Sequence, residues 1–162
     1  MSVKEAEEEA RKLLKTTWIP RPLPVDPFVL ANELGIDVNF VRLPDDESGR
    51  IEISPDETPK ISINMNDGEN RQRFTCAHEI GHYLSRSDYG PDETIIDKRD
   101  ILAGLGTDER EIFANQFAAA LLMPAANVVS FNSRHYAVPD MARLFGTSTL
   151  AMELRLKNLG LT

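Results

Sequence analysis

The sequence has little of what disulfide-bonded and membrane-spanning proteins require. Cysteine occurs once, as Cys76, so no disulfide can form within the chain. A lone cysteine suits a reducing cytosol. No apolar run approaches the roughly 20 residues needed to cross a bilayer. The N-terminal segment MSVKEAEEEARKLL is charged and lacks the apolar stretch of a signal peptide. We therefore expect a cytoplasmic protein with no membrane association.

Positive charge is also scarce, since 18 Lys and Arg stand against 26 Asp and Glu, giving a net charge of -8. This balance argues against broad electrostatic attraction to nucleic acid or anionic membranes. The C-terminal stretch MARLFGTSTLAMELRLKNLGL can be aligned with a helix-turn-helix pattern that places Gly146 in the turn. Its leucines are spaced for packing and its basic excess is slight, so we expect a packed helical pair and no direct binding of nucleic acid.

The length of 162 residues fits a single domain that can bury a real core. We expect a core over residues 25–124 and a C-terminal helical part over residues 125–162. The oligomeric state cannot be read from the sequence.

Hydrophobic periodicity and turn residues predict an α+β fold, with a small, mostly antiparallel three-stranded sheet packed on helices. The acidic segment 88–109 is interpreted as a loop. Two of the strands alternate strictly and could offer a sheet edge to an extended peptide. Helices are predicted over about 3–17, 27–34, 70–85, 108–123, 125–133, 137–145 and 148–159, and strands over 37–43, 49–54 and 60–65.

The stretch RFTCAHEIGHYL, residues 73–84, carries the clearest chemical pattern. On a helix, His78 and His82 share one face about 5–6 Å apart and can offer two imidazole nitrogens to one ion. Glu79 is rotated by about 100° from His78, so it can act as general base toward a water that the metal activates. The alternative is two ordinary helix histidines. Gly81 costs the helix about 1 kcal/mol, which is easier to accept where backbones approach closely.

A catalytic zinc site commonly has three protein ligands, and the sequence offers three candidates for the third. Glu111 ranks first, because the run from Ala118 to Ala120 would let its helix approach the motif helix closely. Glu109 ranks second and His135 third. The donor set suits zinc, and also manganese or another divalent ion.

Amide hydrolysis also needs a group that stabilises the oxyanion. His135 and Tyr136 are the candidates, because they lie in a predicted connection between helices from which a side chain could reach the site. Cys76 is interpreted as a small buried side chain rather than a ligand.

Two segments together resemble the ImmA/IrrE family of bacterial and phage metallo-endopeptidases. The first is RFTCAHEIGHYL and the second is EIFANQFAAALLMP, which begins at Glu111. The N-terminal PVDPFVLANELGIDV resembles the family's first helix and strand, and the C-terminal stretch resembles its closing helices, so the likeness covers nearly the whole chain.

The resemblance implies a zincin-like fold, with zinc held by His78, His82 and Glu111 and with Glu79 as catalytic base. It also implies a hydrolase that cleaves a partner protein, either a helix-turn-helix transcriptional repressor or an antitoxin, in stress or mobile-element regulation. The rival hypothesis is a module that binds such a repressor or antitoxin without cutting it and uses zinc structurally. An intact Glu79 favours the enzyme, because a structural site does not need it.

Overall fold

The structure is a computed structural model that describes residues 2–88, 93–98 and 108–162. Its described elements are helices and one sheet, so the predicted α+β class is confirmed. The strands are β1 (Asp37–Val41), β2 (Glu47–Ile53), β3 (Lys60–Asn64) and β4 (Glu93–Lys98). The helices are α1 (Val3–Thr17), α2 (Pro27–Glu33), α3 (Glu69–Leu84), α4 (Glu109–Leu122), α5 (Ala125–Ser133), α6 (Val138–Phe145) and α7 (Thr149–Asn158).

The helices begin and end within two residues of the predicted positions. The cap residues explain this agreement. Asp26 precedes α2 and its carboxylate accepts from the backbone N–H groups of Phe28 and Val29, with Pro27 at the first helical position. Gly35 follows the same helix with φ of 78°, a left-handed conformation that favours glycine.

The sheet differs from the prediction in strand number and direction. It has four strands in the order β1-β3-β2-β4. Strand β2 runs antiparallel to both neighbours, whereas β1 runs parallel to β3. The predicted small, mostly antiparallel three-stranded sheet is therefore corrected to a four-stranded mixed sheet. The prediction assumed that consecutive strands pair, but β1 is followed by a crossover past β3 to β2.

The fourth strand lies inside the segment that was interpreted as a loop. Ile95 and Ile96 of β4 pair with Ile51 and Arg50 of β2. Two isoleucines among acidic residues give no visible alternation, so the pairing with β2, and not the local sequence, defines this strand. The loop prediction is wrong for residues 93–98, and its residues 89–92 and 99–107 lie outside the described ones.

The hypothesis of a peptide-binding edge in the two alternating segments is also wrong. These segments became β2 and β3, which are the two inner strands of the sheet. Each is already paired on both sides, so neither can add another strand.

The apolar side chains form two clusters. The larger joins α1, α2, the sheet, α3 and α4, with Ile51, Ile61, Ile80 and Phe117 fully buried. The smaller lies among α5, α6 and α7 around Phe145. Within the part of the chain that the structure describes, no single helix is long and apolar enough to span a membrane, although α4 with α5, bent by 55°, passes as a pair on length and composition alone.

Helices α3 and α4 lie in close contact at Gly81. A Cβ added to Gly81 would lie 3.0 Å from Cα of Ala114 and 3.2 Å from Cδ1 of Phe117. A side chain at this position would require Ala114 or Phe117 to move by a few tenths of an ångström. The close approach expected from Gly81 and the small residues of α4 is therefore present.

Replacing Gly81 by alanine is expected to destabilise the fold. Overpacking costs roughly 1–3 kcal/mol, while the gain in helix propensity returns at most about 1 kcal/mol. We expect the free energy of unfolding to fall by up to about 2 kcal/mol in urea titrations. Gly68→Ala is the control, because a Cβ there meets nothing within 4 Å. A Gly81→Ala protein more stable than the parent would contradict the packing argument.

Candidate metal centre

Helix α3 carries the three polar residues of the motif into the interior. His78, Glu79 and His82 are all 0% exposed. The helix packs against β2 and β3 on one side and α4 on the other. Burying three such groups within about one helical turn costs free energy unless other groups compensate for the lost hydration. The contacts of these three side chains therefore indicate their chemical role.

Three ligating side chains converge from two helices. Nε2 of His78 lies 3.0 Å from Nε2 of His82 and 3.0 Å from Oε2 of Glu111. Nε2 of His82 lies 3.3 Å from Oε1 of Glu111. Tetrahedral zinc with bonds of about 2.0–2.1 Å separates its ligand atoms by roughly 3.3 Å. The three side chains could therefore hold one such ion.

The hydrogen bond of His78 to Asn115 fixes which ring nitrogen faces the cluster. Nδ1 of His78 lies 2.8 Å from Oδ1 of Asn115. An amide oxygen only accepts, so Nδ1 donates and Nε2 of the neutral ring presents its lone pair to Glu111 and His82. This lone pair lies 3.0 Å from Oε2 of Glu111, so the two atoms face each other as ligands of one ion would. The donor set therefore fits a divalent ion that prefers nitrogen and oxygen ligands.

Glu79 lies beside this cluster on the side of the sheet. It follows His78 directly, so its side chain leaves the helix in another direction and is absent from the three-residue group. A Cβ on Gly49 of β2 would lie 3.6 Å from Oε1 of Glu79 and only 2.4 Å from Cγ2 of Thr75. The missing side chain of Gly49 thus lets the sheet approach α3 next to the Glu79 carboxylate.

Of the three candidates for a third ligand, the structure brings only Glu111 into the group of the described residues. Glu109 is exposed at the start of α4, two residues before Glu111. His135 is exposed in the connection between α5 and α6. Its φ of 61° lies in the left-handed region, and its backbone N–H donates to the carbonyl of Asn132, so it ends α5.

The two predicted oxyanion residues lie together after α5. Tyr136 is 41% exposed and its ring contacts Phe131 edge-on with centroids 5.0 Å apart. Arg134 lies over both rings. No described contact joins His135 or Tyr136 to the three-residue group, so their role stays a prediction.

Cys76 is fully buried in the larger apolar cluster, as expected. Burial raises the pKa of its thiol far above the usual range, with Asp26 adding to the rise. The thiol is therefore neutral, whereas a thiolate is the form that binds metal or attacks an electrophile.

Two residues that shape the site were not assigned a role from the sequence. Gly49 carried one usable signal, because a glycine inside a strand often marks a close approach of another segment. Asn115 follows Glu111 by four residues and so shares its helix face. Its contact with His78 depends on how α3 and α4 pack, which no local pattern encodes.

Removing the Asn115 amide should weaken metal binding without unfolding the protein. Outer hydrogen bonds to metal-binding histidines typically contribute about 10–100-fold in affinity. We expect that loss for zinc in Asn115→Ala, measured by competition with a chromophoric chelator. Gln116→Ala, at the next position of α4 and also half-buried, is the matched control and should bind zinc like the parent. Equal affinity in both variants would contradict the bracing role.

Comparison with known proteins gives a family and similar solved structures. Residues 31–157 match the model of a peptidase family described as the IrrE N-terminal-like domain. No curated protein matches the chain. Among solved structures, a Mycobacterium tuberculosis transcriptional regulator is similar in fold, with a TM-score of 0.67 and 20% identity over 96% of this chain and 47% of that one.

The two comparisons carry different weight. At 20% identity the regulator shows the fold alone, and this chain spans about half of the regulator's length. The family match covers most of the chain and includes the motif helix α3, the sheet and α4. The chain therefore belongs to the ImmA/IrrE family of metallopeptidases.

Proposed function

We propose that this chain is a zinc-dependent endopeptidase that cleaves a partner protein. The observation that carries the proposal is the convergence of His78, His82 and Glu111 within 3.0–3.3 Å, next to a buried Glu79 that is not part of the group. A structural site needs the first three residues and not the fourth. Membership of a metallopeptidase family supports the same assignment.

A zinc ion held by these side chains would supply Lewis-acid polarisation of the scissile carbonyl and would lower the pKa of a water toward about 7. Glu79 accepts a proton from the attacking water while the water oxygen forms a bond to the carbonyl carbon. The protonated Glu79 then returns that proton to the amine nitrogen as the C–N bond breaks. Asn115 holds the proton on Nδ1 of His78, so Nε2 would be available to hold the ion.

The proposed substrate is a helix-turn-helix repressor or an antitoxin, as the family resemblance implies, and the proposed setting is cytoplasmic regulation of a stress response or mobile element. The related regulator supports a regulatory setting by its name alone. The proposal treats residues 1–162 as one domain, with the helical part 125–162 packed beside the peptidase core.

Substitutions of three glutamates separate metal binding from catalysis. We expect about one zinc per chain by elemental analysis in the parent, in Glu79→Gln and in Glu109→Ala, and loss of zinc in Glu111→Ala. Cleavage is measured by labelling new N-termini in a proteome-derived peptide library. We expect it in the parent and in Glu109→Ala, and a loss of about 10²–10⁴-fold in Glu79→Gln.

Each contrary result has a distinct meaning. Cleavage by Glu79→Gln at the parent rate would remove Glu79 from the mechanism. A parent protein that takes up no zinc after loading would leave His78 and His82 as ordinary helix histidines. Bound zinc without cleavage of the library or of a co-expressed repressor would favour the non-cleaving binding module.

The oxyanion role of His135 and Tyr136 has a separate test. Tyr136→Phe and His135→Gly each remove a donor, and glycine tolerates the left-handed backbone at position 135. We expect one of them to lower kcat about 10²-fold with KM and zinc content unchanged. Ser133→Ala, on the exposed end of α5, is the control. Parent kcat in both variants would contradict the assignment.

A further inference from the structure

The contact face between α3 and α4 continues beyond the metal centre. His82 meets Glu111, and one turn earlier on α3 His78 meets Asn115. The numbers fall on α3 as they rise on α4, so the helices run antiparallel. Residues four apart share a helix face. The next pair along the same face is therefore Phe74 with Ala119, about one helical turn of 5.4 Å from His78.

A cavity opens at this point, between α3, α4 and α7. Its volume is about 380 Å³, and Asn115, which braces His78, is one of its lining residues. This is the size of a few amino-acid side chains, at the lower end of ligand pockets. Its apolar wall consists of Phe74, Ala119, Met123, Leu150, Ala151 and Leu154.

The outer face of α7 gives this cavity an open apolar wall. Leu150 is 61% exposed and Leu154 is 45% exposed, one turn apart on the same helix. Neighbouring exposed leucines beside a groove mark a surface that binds apolar groups. Arg155, the residue after Leu154, is buried and paired with Glu7. This face therefore lacks the dense positive charge that nucleic-acid phosphates require.

The charge of the cavity lining differs from that of the chain. Among the residues that the structure describes, no aspartate or glutamate lines it, although the chain carries 26 of them and a net charge of -8. Arg71 lies at its edge and has no ion-pair partner among the described residues. An occupant with apolar side chains and a nearby acidic group would match both the leucines and this guanidinium.

We propose that this cavity is a substrate subsite, which binds an apolar segment of the protein substrate with an acidic residue beside it. The adjacency of the cavity to the metal centre carries the assignment, because Asn115 lines the cavity and its side chain also accepts from Nδ1 of His78. The inference rests on the proposed peptidase function, because it takes the bound segment to be part of the substrate. The experiment that tests it measures binding and does not require cleavage.

Binding is measured by fluorescence anisotropy with the full chain carrying Glu79→Gln, which prevents turnover. Three labelled 12-residue peptides serve as probes: a Leu-Leu peptide flanked by Glu, the same peptide flanked by Lys, and one with Ser in place of both leucines. We expect the Leu-Glu peptide to bind about tenfold or more tightly than the Ser peptide, and the Lys version to bind more weakly than the Glu version.

A matched pair of leucines locates the binding. Leu154→Asn, added to Glu79→Gln, should weaken the Leu-Glu peptide about tenfold, and Leu150→Asn should do the same. Leu144→Asn is the control, because Leu144 is a leucine of α6 with similar exposure, 39% against 45% for Leu154, and is not among the cavity residues. Circular dichroism melting verifies that all three variants fold.

The outcomes separate the subsite from the peptidase function. Equal binding of Leu and Ser peptides, no binding of any peptide, equal effects of Leu154→Asn and Leu144→Asn, or preference for a DNA duplex probe would each overturn the subsite. Selective binding at Leu154 in a chain whose parent form never cleaves would uphold the subsite and overturn the peptidase. Cleavage with no loss of peptide binding in Leu154→Asn would uphold the peptidase and overturn the subsite.

Discussion

The contact between α3 and α4 at Gly81 is the constraint on which the rest of the site depends. Because Gly81 has no side chain, Ala114 and Phe117 approach its backbone directly. Glu111 lies one turn before Ala114 on the same helix, so this approach brings its carboxylate to the two histidines of α3. A wider spacing would leave two histidines on one helix and a distant glutamate on another. Helix packing therefore creates the three-residue group.

The same packing imposes an electrostatic cost that the site must meet. It buries His78, His82 and Glu79 completely, in a region where unpaired polar groups are unfavourable. The Asn115 amide compensates for part of the lost hydration, because its oxygen accepts a hydrogen bond from Nδ1 of His78. In the neutral ring, the lone pair on Nε2 of His78 then faces the Glu111 carboxylate. The neutral ring therefore presents the form of histidine that binds a metal ion, directly opposite a carboxylate that can bind the same ion.

Features that depend on residues close together in the sequence could be predicted, whereas features that depend on contacts between distant segments could not be predicted from local patterns. The positions of His78 and His82 depend on helical spacing over four residues, which is local, and the caps of α2 depend on adjacent residues. Glu111 depends on tertiary packing, and the sequence ranked it first on small residues and on the family resemblance. Strand β4 and the parallel β1–β3 pair were missed because pairing with a distant strand defines them. The bracing by Asn115 was missed for the same reason.

Two buried arginines explain how the C-terminal helices are held beside α3 and α4. Arg73 of α3 donates to the carbonyl oxygens of Gly146, at 3.0 Å, and Val25, at 2.5 Å. Burial lowers its pKa, while Asp26 and Glu69 oppose that shift. Arg155 of α7 donates to the Met123 carbonyl at the end of α4 and pairs with Glu7 of α1.

These two guanidinium groups connect α7 and the turn before it to α3 and to the end of α4. A buried charge-assisted hydrogen bond is costly to break, because it leaves an uncompensated charge. Gly146 is needed for the same junction, since a Cβ there would lie 2.7 Å from Nε of Arg73. The wall that carries Leu150 and Leu154 is therefore held in place before anything binds. A preformed surface avoids the entropic cost of ordering on association, so the junction that joins the helical part to the core also prepares the cavity next to the metal centre.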